Sequence, residues 1–173
     1  MMPTGLFRRW QTAGMTTRFS AGVLLFRRSP DLEVFIGHMG GPLWSRKDRS
    51  AWSIPKGEYD PATEDAPDAA RREFTEEVGL PVPEGEWVPL GAVEYGSGRG
   101  RKQVSVWAVE ADLDPAQVNP GMFEMEWPPR SGRYATFPEI DRAEWFTPED
   151  ALERLVAGQR TFLDRLAEWV AGN

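Results

Sequence analysis

The chain has 173 residues, with 20 Lys and Arg against 27 Asp and Glu, which gives a formal net charge of −7. This length suits one domain with one sizeable core, and the acidic balance argues against nucleic-acid and membrane-surface partners. The lack of Cys and the single histidine, His38, exclude a disulfide scaffold, a thiolate zinc site, a cysteine nucleophile and a multi-histidine centre within one chain. Catalysis would have to use carboxylates, hydroxyls, lysine and arginine.

Residues 1–16 are interpreted as a flexible N-terminal extension, because they lack the continuous apolar stretch of a secretory signal. No apolar run in the sequence approaches the roughly 20 residues of a membrane-spanning helix. We therefore expect one domain over residues 17–173, located in the cytoplasm and without a membrane partner.

Segments of apolar, β-branched or alternating residues predict strands. They are residues 18–27, 32–37, 51–54, 87–95, 103–110, 122–127 and 144–146. Intervening segments rich in Gly, Pro and charge predict loops. The main ones are residues 38–50, 58–65, 112–120 and 128–138. The first two strands flank a Ser-Pro-Asp turn, so we expect them to pair.

The strongest helix prediction covers residues 67–78, in which Ala70, Phe74 and Val78 recur every four residues. A proline in the first turn and Gly79 after the last are typical of a helix start and stop. Two more helices are predicted near the end of the sequence, over residues 148–157 and 161–171. Strands on both sides of a central helix, followed by helices, predict a mixed α/β sandwich.

Three glutamates share one face of the predicted central helix. Glu73, Glu76 and Glu77 are three or four residues apart, whereas Phe74 and Val78 point towards a core. An acidic solvated face would give the same spacing. The other explanation is a hard divalent cation such as Mg²⁺, which prefers carboxylate and phosphate oxygens.

The segment from Gly57 to Leu80 resembles the signature of the Nudix hydrolases. The matching residues are Gly57, Glu64, Arg72, Glu73, Phe74, Glu76, Glu77, Gly79 and Leu80. One departure is a loop of six residues between Gly57 and Glu64, where the family has five. This insertion precedes the helix and leaves its register intact.

The resemblance implies a Nudix-type α/β/α sandwich with a mixed sheet and a catalytic helix after the Nudix loop. It implies Mg²⁺- or Mn²⁺-dependent hydrolysis of a nucleoside diphosphate linked to another moiety by an attacking water, with a dinucleoside polyphosphate or nucleoside triphosphate favoured. Glu73, Glu76 and Glu77 would bind metal, with Glu73 also a candidate base. The Gly57 carbonyl would add a ligand, and Arg72 would brace the acids.

Members of this family often recruit a further acid from a later loop. Glu139 is the first choice, because it lies six residues before Trp145, as in the diadenosine-polyphosphate branch that this segment resembles. Glu126 is the second choice, on an earlier predicted strand with Glu124. Either residue could instead be a solvated surface acid.

Cationic and aromatic residues in the loops are candidate substrate contacts. The chosen residues are Lys56 beside the signature, Trp44 and Lys47 in the long loop, and Arg99 and Arg101 at a hairpin tip. Weaker alternatives are Arg46, Arg49, Lys102, Arg130 and Arg133. Each could equally be a solvated loop residue, and His38 is interpreted as a structural histidine.

Two further functions compete with the enzyme. A nucleotide-binding or regulatory Nudix module of weak catalytic power is favoured by the insertion, and a protein–protein adaptor would leave the carboxylates free of metal. The intact Arg72, Glu73, Glu76 and Glu77 favour the enzyme. We therefore expect a nucleotide substrate and no nucleic-acid partner, and the sequence leaves the oligomeric state open.

Overall fold

The computed structural model describes residues 17–173, so the predicted extension over residues 1–16 lies outside the described residues. The strands are β1 (Arg18–Arg27), β2 (Glu33–Met39), β3 (Trp52–Ser53), β4 (Lys56–Tyr59), β5 (Val88–Tyr95), β6 (Lys102–Glu110), β7 (Met122–Glu126), β8 (Tyr134–Pro138) and β9 (Ile140–Phe146). The helices are α1 (Ala66–Val78), α2 (Pro148–Arg154) and α3 (Thr161–Gly172). Within residues 17–173, no helix combines the length and apolar character needed to cross a membrane.

Strand β1 organises a mixed sheet. It runs parallel to β6 along its length, and β5 pairs antiparallel with β6. On its other edge, β1 pairs antiparallel with β4 near its start and with β2 near its end. Strand β2 continues the sheet through β3 and β9. The segment that contains β3 and β4 therefore fills the gap where β1 and β2 diverge.

Each face of the sheet has its own apolar core. Alternate side chains of β1 divide between them: Leu24 and Phe26 pack on the side of α2 and α3, whereas Val23 and Leu25 pack on the side of α1. This alternation is the period of a strand buried on both faces. Helices on both faces confirm the predicted sandwich and its mixed sheet.

The central helix forms as its sequence indicates, beginning one residue before the predicted start. Ala70, Phe74 and Val78 are fully buried against the sheet. Gly79 ends α1 with a φ of +76°, and a Cβ at this position would lie 1.8 Å from the Asn119 carbonyl oxygen. Glycine is therefore required both by the left-handed conformation and by the close approach of the segment between β6 and β7.

Two predicted loops contain strands. Residues 128–138 were expected to be a loop, but Tyr134–Pro138 forms β8, which pairs with β7 in a separate two-stranded sheet. Residues 58–65 were also expected to be a loop, but Glu58 and Tyr59 belong to β4. In both cases a neighbouring strand supplies the backbone partners, which local composition does not reveal.

Several element boundaries also differ from the predictions. Strand β2 extends through His38 and Met39, and β9 begins at Ile140, four residues earlier than expected. Helix α2 ends at Arg154, because Leu155 turns into an extended conformation and forms a bridge with Trp52.

Candidate functional site

The carboxylates of α1 face β4 and the chain that precedes β9. The backbone N–H of Lys56 donates to the Glu77 carboxylate at 3.1 Å. The segment that precedes β7 packs against the C-terminal end of α1, where the Gly121 N–H donates to the Glu76 carbonyl at 2.9 Å. Gly121 in turn accepts from the Glu139 N–H at 2.8 Å. Through these bonds, Glu139 is brought to the acidic face of α1.

Gly57 lies directly against one of these acids. A Cβ at this position would be 1.9 Å from a carboxylate oxygen of Glu73, which no real contact permits. The absence of a side chain therefore allows the backbone of β4 to approach the helix acids. The Gly57 backbone therefore lies close to the Glu73 carboxylate.

Arg72 holds three acids together. Its Nε and Nη2 donate to the two oxygens of Glu64 at 2.8 and 2.9 Å, a bidentate pair. Its Nη1 donates to Glu73 at 2.7 Å and to Glu76 at 3.3 Å. These partners raise the pKa of the guanidinium, with the hydrogen bonds that it donates to Glu64 the largest cause. One cation thus offsets part of the repulsion within the cluster.

The remaining negative charge is poorly solvated. Loss of contact with water raises the pKa of Glu77 to about 8, although Lys56 opposes the shift. Loss of contact with water also raises the pKa of Glu73 and of Glu139, and Glu76 adds to both shifts. In contrast, the hydrogen bond from Arg72 lowers the pKa of Glu64. Buried carboxylates whose charge is destabilised are suited to a cation that neutralises them.

The donor set fits a hard divalent cation. Glu73, Glu76, Glu77 and Glu139 provide carboxylate oxygens and Gly57 a backbone oxygen, the ligands that Mg²⁺ and Mn²⁺ prefer. Within residues 17–173, no three acidic or histidine side chains are already arranged to hold one ion. Cation binding therefore requires side chains of the cluster to reorient, and Glu76, whose side chain is 58% exposed, is free to do so.

The two candidates for the later acid occupy different places. The charge of Glu139 affects both Glu73 and Glu77, so it belongs to the cluster. Glu126 lies at the far end of β7, where its carboxylate accepts from the Gly132 N–H at 3.0 Å. Its role in the structure is to stabilise the β7–β8 turn.

A cleft of about 290 Å³ adjoins Glu139. It is lined by residues 40–44 and by residues 123–125 of β7, with a mainly apolar surface that includes the Trp44 indole. The Gly40 N–H donates to the Glu139 carbonyl at 3.1 Å, which connects the cleft to the acidic cluster. The Lys47 ammonium lies 5.2 Å from the centre of the Trp44 ring.

Three cations gather on the sheet face opposite α1. Arg18 and Lys102 are register partners, and a Cβ at Gly22 would lie 2.7 Å from Lys56 Cβ. Loss of contact with water lowers the pKa of Lys102, and the charges of Arg18 and Lys56 lower it further, against the opposing effect of Glu58. Arg18 was missed by sequence reasoning, since only the pairing of β1 with β6 brings it to Lys102.

The other basic candidates remain apart from the cluster. Arg99 and Arg101 are exposed at the β5–β6 turn, and their side chains form no ion pair with residues 17–173. Arg130 and Arg133 lie in the turn between β7 and β8, and Arg46 and Arg49 are exposed in the long loop. The structure brings none of these six to the α1 carboxylates.

Comparison with known proteins places these features in a wider context. A family model described as NUDIX domain matches residues 9–166. Among curated proteins, no significant sequence match was found.

Several solved structures share the fold at low sequence identity. An Ap4A hydrolase from C. elegans in a binary complex is 20% identical with a TM-score of 0.63, over 90% of this chain and 99% of that one. The MutT protein from Methanosarcina mazei Go1 is 19% identical with a TM-score of 0.60, over 92% and 99%. The NUDIX domain of Shewanella oneidensis NrtR, complexed with ADP ribose, is 14% identical with a TM-score of 0.62, over 94% of each chain.

The contact between Gly57 and Glu73 generates a first prediction. Gly57→Ala should displace the Glu73 carboxylate or β4, since its Cβ would overlap an oxygen. We expect Mn²⁺ affinity, measured by calorimetry, to fall about tenfold or more, with a stability loss of about 1–3 kcal/mol. Gly100→Ala is the matched control, because a Cβ there meets nothing within 4 Å. Equal Mn²⁺ affinities for the two variants would contradict the prediction.

The raised pKa of Glu77 generates a second prediction, for protein kept in EDTA. The folded state binds this proton more tightly than the unfolded state, so Glu77 contributes stability below its ordinary pKa of 4.5 and loses that contribution as the pH rises through about 8. Glu77→Gln keeps the shape and removes the titration. We expect the melting temperature of the wild type to fall relative to Glu77→Gln between about pH 5 and about pH 9.

Circular dichroism in EDTA measures this difference across the pH range. Excess Mg²⁺ should then raise the melting temperature of the wild type at the alkaline end more than that of Glu77→Gln. A difference between the two proteins that stays constant with pH would show that Glu77 does not titrate in this way.

Proposed function

Since the chain belongs to the NUDIX domain family, we propose that it is a divalent-cation-dependent hydrolase of phosphoanhydride bonds. The proposed substrate is a nucleoside diphosphate linked to another moiety, with a dinucleoside polyphosphate or a nucleoside triphosphate favoured. The observation that carries this proposal is the group of four carboxylates, Glu73, Glu76, Glu77 and Glu139. Burial, with a smaller contribution from neighbouring acids, raises the pKa of Glu73, Glu77 and Glu139, so a cation would stabilise their charged forms.

Glu73, Glu76, Glu77 and Glu139 would hold Mg²⁺ or Mn²⁺ together with the Gly57 carbonyl. Such a cation supplies neutralisation of phosphate charge and activation of water. Arg72 forms ion pairs with Glu73 and Glu76. These ion pairs would keep the two acids together when no cation is bound.

Glu73 is the proposed proton acceptor. Its side chain is 13% exposed, it faces the backbone of β4 at Gly57, and its pKa is raised above the ordinary value. A carboxylate with a raised pKa is a stronger base, so it accepts the proton of the attacking water more readily. The hydrogen bond from Arg72 fixes one of its oxygens.

The surrounding residues suit a phosphate chain with an aromatic end. Lys56, whose charge acts on Glu77, is the proposed phosphate contact nearest the acids. Arg18 and Lys102 lie beside it on the face of the sheet opposite α1 and would extend the positive charge away from the cluster. The apolar cleft that includes Trp44 would take a flat ring such as a nucleobase, with Lys47 above the indole. The related folds of an Ap4A hydrolase and of an ADP-ribose complex favour a nucleotide as the first substrate to test.

The six-residue loop after Gly57 was the feature that favoured a weakly catalytic nucleotide-binding module. In the structure, the extra length is taken up in a turn in which Asp60 accepts hydrogen bonds from the backbone of Ala62, Thr63 and Glu64. Glu64 still reaches Arg72, and Gly57 still contacts Glu73. The insertion therefore gives no structural reason to prefer the binding module.

A third prediction tests the reaction itself. With Mg²⁺, a panel of dinucleoside polyphosphates, nucleoside triphosphates, ADP-ribose and nucleotide sugars should contain a substrate, with products followed by phosphorus NMR. Excess EDTA should abolish turnover, since the four acids would lose the cation that neutralises them. Each of Glu73→Gln, Glu76→Gln and Glu77→Gln should lower kcat about a hundredfold or more while the protein stays folded.

The matched control is Glu168→Gln, which changes an exposed acid of α3 and should leave turnover unaltered. Full activity in EDTA would refute the cation requirement. Binding of nucleotides without turnover of any panel member would instead favour the binding module.

A fourth prediction separates the two later acids. Glu139→Gln should lower kcat more than Glu126→Gln by about tenfold, equivalent to about 1.4 kcal/mol of transition-state stabilisation. The reason is that the charge of Glu139 raises the pKa of Glu73 and Glu77, which places it beside them. Glu126 instead accepts a hydrogen bond from Gly132 in the β7–β8 hairpin. Rates at saturating Mg²⁺ measure the difference, and the reverse order would assign the role to Glu126.

A further inference from the structure

His38, the single histidine of the chain, is buried between two acceptors. Its side chain is 2% exposed, with Nδ1 2.7 Å from a carboxylate oxygen of Asp141 and Nε2 2.6 Å from the carbonyl oxygen of Lys47. Both ring nitrogens are therefore within hydrogen-bond distance of an oxygen atom. The ring therefore connects β9 to the long loop between β2 and β3.

A β-bulge directs Asp141 towards this ring. In the pairing of β2 with β9, His38 is opposite Arg142 and Met39 is opposite Ile140, so Asp141 is the extra residue between them. Bulges redirect a side chain that regular pairing would place elsewhere. The register of the sheet is thus interrupted at the point where the carboxylate contacts the histidine.

The contact with Lys47 leads directly to the cleft. The Lys47 N–H donates to the Trp44 carbonyl at 2.9 Å, and the Trp44 N–H donates to the Gly41 carbonyl at 3.3 Å. Two successive turns therefore join the histidine to the indole that lines the cleft beside Glu139. A change in the position of Lys47 would move Trp44.

The next part of the loop has a separate anchor. Asp48 accepts from the Trp52 indole N–H at 2.9 Å and forms ion pairs with Arg142 at 3.7 Å and Arg154 at 3.5 Å. These contacts fix the end of the loop near β3. Residues 41–46 are held by turns within the loop, by packing of Trp44 against the apolar core and by the approach of Gly41 to Phe123. The bond from His38 adds a side-chain hydrogen bond that ties Lys47, at the end of this stretch, to the sheet.

We propose that His38 is a positioning residue, which holds the loop of residues 40–47 so that Trp44 forms the wall of the substrate cleft. The affinity for the aromatic end of the substrate then depends on the bond from the ring to Lys47. The proposal rests on the proposed function for its effect on substrate, but its effect on the loop is independent of any activity.

The experiment uses two variants of His38, each of which keeps one of its two contacts, with Asp141 or with Lys47. The amide nitrogen of Gln corresponds in position to Nε2, so His38→Gln retains the donor to Lys47. The amide of Asn corresponds to Nδ1, so His38→Asn retains the donor to Asp141 and loses Lys47. Hydrogen–deuterium exchange of the full chain should rise over residues 40–47 in His38→Asn and stay near wild type in His38→Gln.

With the substrate identified by the panel, His38→Asn should raise KM about fivefold with kcat within about twofold, and His38→Gln should restore KM. Trp44→Ala should raise KM similarly. In the Trp44→Ala background, His38→Asn should have little further effect on KM, because both changes act through the same wall of the cleft. If His38 had a purely structural role, His38→Asn would lower the melting temperature without raising KM selectively. Its effect on KM would also be independent of Trp44→Ala.

Asp141→Ala is a second route if His38→Asn does not fold, because the Asp141 side chain is 35% exposed and its loss is more easily tolerated. It should raise exchange over residues 40–47 to a smaller extent. Unchanged exchange and KM in both His38→Asn and Asp141→Ala would overturn the proposal. So would effects of His38→Asn and Trp44→Ala on KM that are fully additive. Raised exchange with no turnover of any substrate would retain the loop role and reject the proposed function.

Discussion

Four carboxylates lie together beside one helix although they repel one another, and the rest of the site is arranged around that repulsion. Loss of contact with water raises the pKa of Glu73, Glu77 and Glu139, so their charged forms are destabilised in the fold. Arg72 offsets part of this by bonding to neighbouring acids. The rest of the unfavourable negative charge would be neutralised by the divalent cation that is proposed to bind these oxygen ligands.

The path of the backbone explains how acids so close together can be kept. The segment with β3 and β4 enters the gap between β1 and β2, and this brings Gly57 against Glu73 and the Lys56 N–H to Glu77. On the other side, Gly121 bonds to the C-terminal end of α1 and to Glu139. The glycines allow both approaches, since a side chain at either place would meet helix atoms.

The loop that carries Trp44, the proposed recognition side of the site, has fewer anchors to the sheet than the acidic cluster. The carboxylates are placed by a helix and by strands of the main sheet, whereas Trp44 lies in a loop joined to the sheet by the ring of His38. Sites built in this way combine a fixed reaction centre with a surface that changes more readily between related proteins. The same scaffold can then serve different substrates through changes in the loop and in the β7–β8 hairpin.

The sequence alone determined the central helix, its acidic face, its stop at Gly79 and the sandwich of strands and helices. These features depend on spacings within a few residues, and the 57–80 signature lies almost entirely within one loop and one helix. Only the tertiary structure decided three other features. They are the formation of strands β4 and β8, the position of Glu139 beside the helix acids, and the contact of His38 with Asp141. His38 and Asp141 are 103 residues apart, and a bulge brings them together. Contacts of this kind depend on the register of strands distant in sequence, and no local pattern of side chains specifies that register.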